Sequence, residues 1–254
     1  MDDNFNKILN DIKNQDNSGE DLIKKIGLKK GEEMLKILTS KKYSRDYPYD
    51  SHGMLKIVKD NIINNKKTNL VGFWGASEKE IFEYSEEQLI KNMLRFQEDL
   101  LGVVSFTFIL SDMHALMNRY KKEKIETYLS LVKRNLENVG IKTILLSDLW
   151  KEWGLSTETI LNQVDSFDLS DSVLKEKLLK QATKHFQGSD KVLGAKVYYI
   201  MRKTEALFIK KTFAGSILFS FTDATAHAFL PDMPTLYLYT TKRDVTAVPW
   251  FREY

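Results

Sequence analysis

Ser111-Asp112-Met113-His114, running on to Asn118 and Arg119, sets a carboxylate, an imidazole and an amide directly after Val103–Leu110, the most strand-like apolar run of the chain. An aspartate so placed can orient a substrate amine, and a histidine can move protons near neutral pH. Asp112 and His114 also offer two metal ligands, but no third is evident, and neither a metal nor a cofactor is expected. The plain structural alternative for Asp112 is a helix N-cap. A second group is Trp74-Gly75-Ala76-Ser77-Glu78-Lys79. Small residues followed by a cation suit a loop that cradles a phosphate or carboxylate, or simply a strand–helix connection. It is not a Walker loop, because the Gly-Lys-Ser/Thr spacing is missing. Ser77 is a candidate nucleophile, although no base is predictable beside it. A third group falls close to one helical face: Tyr199, Arg202 and Glu205. Arg202 and Glu205, at i and i+3, make either a surface ion pair or a charged pair that grips a zwitterionic amino acid. A fourth is Ser220, Thr222, Asp223 and His227, with Val248-Pro249-Trp250-Phe251 closing the chain.

The elements that must position these residues follow from periodicity. Asn69–Trp74, Val103–Leu110 and Ile141–Leu146 read as strands, the second covered on both faces because it is β-branched and aromatic throughout. Helices are expected from Ser85 to Leu100, with Leu89, Met93, Phe96 and Leu100 on one face, and from Glu123 to Val139, with Ile125, Tyr128, Leu129, Val132 and Leu136 inward and Gly140 ending it. Strand–helix–strand alternation implies right-handed crossovers and a parallel sheet. Ser156–His185 reads as helices and Lys191–Thr212 as one long helix. Ser216–Phe221 and Thr235–Tyr239 read as late strands, antiparallel at the sheet edge. Two or three amphipathic helices are expected in the first 40 residues, then a loop at Tyr43–Gly53 and a helix from Met54 to Asn64. The expected fold is therefore α/β: a Rossmann-like, mostly parallel sheet with helices on both faces and an N-terminal helical extension. Residues 1–66 would form that extension and 67–254 the catalytic domain. Ligands in such sheets gather outside the carboxyl ends of the strands.

The chain has 254 residues, 43% hydrophobic and 29% charged, enough for a sizeable core, and a formal net charge of +3, too small to argue for nucleic acid by itself. The charge is uneven: Lys24, Lys25, Lys29, Lys30, Lys41, Lys42, Lys66 and Lys67 enrich the first 70 residues, as a solvated helical surface or as a site for a polyanion such as tRNA. Without cysteine, disulfides and thiolate metal sites are excluded. No secretory signal and no apolar run of about 20 residues is visible, so a cytoplasmic protein with no membrane partner is expected.

Across roughly residues 70–254, the spaced features resemble the isonitrile (isocyanide) synthases of the pyoverdine/dityrosine biosynthesis family. The strand leading into Ser111-Asp112 is similar to that family's strand ending in Ser-Asp-Gly. Arg202-x-x-Glu205-Ala206-Leu207 before Ser216-Ile217-Leu218-Phe219-Ser220 looks like its arginine-bearing helix followed by a strand ending in Ser-Ile-His. Val248-Pro249-Trp250-Phe251 looks like its closing Thr-Pro-Trp-His. Met113 stands at the family's glycine, Phe221-Thr222-Asp223 where a histidine is expected, and Phe251 at the terminal histidine. The resemblance implies an amino-acid substrate whose nitrogen becomes an isonitrile with a carbon from ribulose 5-phosphate. On that reading Asp112, His114, Lys79 and Glu205 are catalytic: Lys79 holds phosphate or carboxylate, Asp112 and Glu205 address the amine, and His114 moves protons. Trp74, Ser77, Asn118, Tyr199, Arg202, Ser220 and Asp223 bind substrate, Arg202 through its carboxylate. Val71-Gly72-Phe73-Trp74-Gly75-Ala76-Ser77 and Phe82-x-Tyr84 also look like the first strand and serine loop of tRNA-dependent cyclodipeptide synthases, and Tyr199–Glu205 is similar to their Tyr…Glu helix. That resemblance implies Ser77 as the aminoacyl acceptor and tRNA as partner. A non-catalytic small-molecule binding protein on the same fold is the third reading.

Overall fold

A computed structural model of the protein describes residues 18–39, 50–76, 84–99, 102–171, 174–220, 229–230 and 232–237. The helices are α1 (Ser18–Leu38), α2 (Ser51–Ile63), α3 (Tyr84–Asp99), α4 (Asp112–Met117), α5 (Lys122–Glu137), α6 (Leu146–Glu152), α7 (Thr157–Val164), α8 (Lys175–His185) and α9 (Lys191–Thr212). The strands are β1 (Thr68–Trp74), β2 (Val104–Leu110), β3 (Lys142–Leu145), β4 (Ile217–Ser220) and β5 (Thr235–Tyr237). They form one five-stranded parallel sheet in the order β3-β2-β1-β4-β5 with helices flanking it, so the α/β Rossmann-like expectation holds. The late strands correct the expectation of an antiparallel edge. β4 pairs parallel with β1, and β5 parallel with β4. The physical reason lies in the connections. The long α9 lies between β3 and β4 in the chain, and the residues between β4 and β5 are too many for the tight hairpin that antiparallel neighbours use. None of the described helices is long and apolar enough to cross a membrane.

The described residues fall into two compact units. One takes those of 1–71, 84–106 and 215–254. In it α1 buries Gly27, Gly31, Met34 and Leu38 along a single stripe, and α2 buries Met54 and Val58. Leu70 and Val71 of β1 pair with Ile217 and Leu218 of β4. Phe106 meets Phe219 edge-on, ring centres 5.6 Å apart.

The other unit takes 72–83 and 107–214. Its β2 and β3 run in register from Thr107↔Lys142 to Leu110↔Leu145. All five residues read as the inner face of α5 are buried, and Gly140 leaves the helix at φ 76°, a left-handed turn that a side chain would strain. Asp190 starts α9 by accepting the Leu193 N–H at 3.0 Å.

Phe186, just past α8, is buried against the first turn of α9, and the Arg119 guanidinium lies 5.1 Å from its ring centre. A Cβ at Gly194 would stand 2.5 Å from Phe186 Cγ and 2.9 Å from its Cβ. These are the root of a buried side chain and cannot swing aside. Gly194→Ala is therefore expected to cost about 1–3 kcal/mol through overpacking, read by chemical denaturation. Adding Phe186→Leu should recover part of it; no recovery would show that Phe186 is not the obstacle.

Candidate functional site

The carboxyl ends of β1 and β2 are tied together where the Ser111 N–H donates to the Trp74 carbonyl at 3.0 Å. The helix α4 begins at the next residue, so His114 stands within one turn of the strand end. It meets α9 there. His114 Nε2 lies 2.9 Å from both carboxylate oxygens of Glu205. Trp150 of α6 donates its indole N–H to Oε1 at 2.8 Å, and Arg202 donates from Nη1 to Oε2 at 3.4 Å. Phe73 of β1 supplies the apolar wall. The His114 ring stacks on it with centroids 5.3 Å apart and 25° between the planes, and the Arg202 guanidinium carbon lies 4.4 Å from its centre. A cation over an aromatic face is held electrostatically as well as packed.

Glu205 is fully buried. Burial alone pushes its carboxyl up. The charges of His114 and Arg202 and the hydrogen bonds from His114 and Trp150 outweigh that, and the group is held below the ordinary carboxylate value. Glu205 is therefore an anion reached through its partners. Arg202 is the converse. Its side chain is only 10% exposed, and its Nε is buried with no hydrogen-bond partner among the described residues. A guanidinium carries five N–H donors, and among the described residues its hydrogen-bond partner is Glu205, through one long bond. Ser111 Oγ is a second buried polar atom without a partner among the described residues. Buried polar groups are ordinarily satisfied, so Arg202 Nε and Ser111 Oγ are two exceptions in this unit.

Of the residues singled out by sequence, His114, Arg202 and Glu205 come together. Asp112 lies beside them in another task. Its Oδ1 accepts the N–H of Met113 at 2.9 Å and that of Ser147 at 3.0 Å. The β2–β3 register explains the reach: Leu110 pairs with Leu145, and Asp112 and Ser147 each lie two residues further on. Trp74 is buried, its indole N–H on the Tyr128 hydroxyl at 3.1 Å and its ring edge-on to Phe108. Asn118 closes α4 and accepts the Gln187 N–H through its carbonyl. Tyr199 stacks flat on Phe167, 4.4 Å between centroids, under the Lys203 ammonium. Ser220 ends β4, half-buried, in the other compact unit. Ser77, Lys79 and Asp223 lie outside the described residues. Among the described residues no three His, Asp or Glu side chains gather as a metal site. Sequence reasoning passed over Phe73 and Trp150. Phe73 reads as one more apolar strand residue. Trp150 follows a strand end in Ser147-Asp148-Leu149-Trp150, and only that position, where ligands gather, hints at a role.

Asp112 invites a direct test. Asp112→Ala leaves the Ser147 N–H without its acceptor and is expected to cost about 1–3 kcal/mol. Asp112→Asn keeps an oxygen in place and should stay within about 1 kcal/mol of the parent. Denaturation curves of the two variants check this, and equal losses would show that the charge, not the acceptor, matters.

No family model and no curated protein matches the sequence. Solved structures do. The PvcA protein of Pseudomonas aeruginosa matches with a TM-score of 0.52 at 14% identity, over 89% of this chain and 88% of that one. A CDPS from Staphylococcus haemolyticus matches with a TM-score of 0.44 at 13% identity, over 72% of this chain and 95% of that one. A tyrosyl-tRNA synthetase from Leishmania major, in complex with tyrosinol, matches with a TM-score of 0.44 at 14% identity, over 75% of this chain. The chain spans only 36% of that synthetase's length. At such identity the likeness to PvcA shows a shared fold.

Proposed function

We propose that the protein is a biosynthetic enzyme acting on an amino acid, in the manner of an isonitrile synthase, with Arg202 holding the substrate carboxylate and His114 moving a proton at its amine. The observation that carries this reading is the nine-tenths buried side chain of Arg202, its Nε without a partner among the described residues, next to a histidine held on a buried carboxylate. The resemblance of the Ser111-Asp112 and Arg202-x-x-Glu205 segments to the isonitrile synthases supports it, and the fold is one shared with the PvcA protein.

The chemistry follows from the hydrogen bonds. An ionised Glu205 only accepts, so His114 Nε2 carries a hydrogen, and in the neutral form of the ring, the one that acts as base, Nδ1 has the lone pair. A free amino acid is an ammonium at neutral pH, and its nitrogen must shed a proton before it can form a bond. His114 Nδ1 is the base for that proton, and Glu205 stabilises the imidazolium that results. Asp112 Oδ2, the oxygen that takes neither backbone N–H, is the partner for the ammonium before transfer. The proposed co-substrate is a small sugar phosphate, with Lys79 as its anion partner.

Mass spectrometry of product mixtures tests this. The protein is incubated with the twenty amino acids and ribulose 5-phosphate, and separately with charged tRNAs. The expected result is consumption of one amino acid, matched by an isonitrile mass that depends on the sugar phosphate. A cyclodipeptide, or an aminoacyl adduct on Ser77, would replace the proposal with the tRNA-dependent reading. An amino acid bound but never consumed would leave a binding protein.

A further inference from the structure

We infer that Trp150 is a positioning residue for the His114–Glu205 pair, with α6 as its mount and Asp112 as the anchor of that mount; the inference rests on the reading of His114 as the proton-moving group. The contacts form a closed ring. Asp112 Oδ1 holds the Ser147 N–H in the first turn of α6 at 3.0 Å. Trp150 stands one turn further along the same helix and gives its indole N–H to Glu205 Oε1 at 2.8 Å. Glu205 takes His114 Nε2 at 2.9 Å, and His114 sits in the first turn of α4, the helix that Asp112 begins.

The geometry shows why a donor on Oε1 is needed. The terminal torsion of a glutamate is broad and roughly two-fold. His114 Nε2 is equidistant from the two oxygens, so it does not by itself distinguish one from the other. One donor per oxygen does. Trp150 supplies the short bond to Oε1 and Arg202 the long one, 3.4 Å, to Oε2. Arg202 is the member a ligand carboxylate would engage, and its hold on Glu205 would loosen at the moment of binding. Trp150 is 1% exposed and cannot be drawn away. Its indole only donates and does not titrate, so it fixes the carboxylate without competing for the proton that His114 handles. Trp153, one turn on, shows the contrast: its indole N–H goes to the Thr212 hydroxyl at 3.1 Å and its ring stacks on Phe208.

Nitrogen NMR of the full chain labelled with 15N in histidine and tryptophan tests the inference without any substrate. In the parent protein, neutral His114 is expected to show one tautomer, hydrogen on Nε2. Trp150→Phe keeps the ring body and deletes the N–H. The His114 nitrogen signals should then move toward each other, as the second tautomer becomes populated, while Trp153→Phe leaves them in place. Asp112→Ala should shift them in the same direction and less. Should Trp150→Phe fail to fold, the parent protein still answers. The groups facing Glu205 are His114 of α4, Trp150 of α6 and Arg202 of its own helix. The Trp150 indole signal should therefore shift with the same midpoint as the His114 ring when His114 is titrated. A folded Trp150→Phe with unchanged His114 signals, or an indole signal flat through that midpoint, overturns the inference and leaves the proposed function standing. A parent His114 with its hydrogen on Nδ1 overturns the proposed function, and the inference with it.

Discussion

Replacing Glu205 by glutamine is expected to cost about 3–5 kcal/mol of folding stability, the usual penalty for removing one partner of a buried ion pair. The volume is unchanged, so the loss is electrostatic. Three donors converge on the carboxylate, from His114, Trp150 and Arg202. An amide offers one oxygen to them and turns its own NH2 against the rest, and the Arg202 guanidinium keeps its burial without its counter-charge. In a domain of this size that is a fall in Tm on the order of 10 °C. The pH dependence separates this account from a packing defect. Glu205 has its folded value depressed, so its contribution is fully present above the ordinary carboxylate range and is lost as pH falls through the depressed value. Denaturant titrations at neutral pH and near pH 3 should show the gap between parent and variant closing at the acid end. A gap that stays constant would mean that the charge of Glu205 contributes nothing.

How far this site was legible in the sequence differs residue by residue. The long α9 was readable end to end, because its apolar period is sustained and Asp190 supplies a cap. Arg202 and Glu205 could be placed on one face by their spacing alone. Whether that face met water or a buried cluster could not, since an i, i+3 pair looks the same in both settings and only tertiary packing decides. His114 was suggested by its type and by its position after an apolar strand. Its partner was not, because 91 positions separate the two residues and nothing local encodes the contact. The short helices α4 and α6 are six and seven residues long, below the length at which periodicity can be recognised. Trp150 and Trp153 lie three residues apart, yet one indole binds the buried carboxylate and the other a helix-end hydroxyl. Strand direction was the clearest failure. β4 and β5 were found as strands, but neither composition nor alternation records which way a strand runs, and the length of the β4–β5 connection admits a parallel return.

His114→Gln should lower turnover of the amino acid identified by mass spectrometry about 10²–10⁴-fold, the usual contribution of a positioned acid–base group, while leaving the fold close to intact. The glutamine amide N–H can stand where Nε2 stands and still donate to Glu205, so the buried carboxylate keeps its third donor, and the stability loss should be about 1 kcal/mol. What disappears is the titratable lone pair at Nδ1. His114→Phe is the informative companion. It preserves the stack on Phe73 but removes the donor, and a hydrogen bond to a charged group is worth about 1.5–3 kcal/mol. The two variants should therefore rank oppositely in wall contact and in hydrogen bonding, and alike in turnover. Steady-state rates and denaturation curves measured on both decide the point. If glutamine retained turnover while phenylalanine lost it, His114 would be a donor that keeps Glu205 in place, and the proton would have to leave the substrate by another route. Loss in both, with stability falling mainly in His114→Phe, separates the ring's chemical task from its structural one, because only the first is common to the two substitutions.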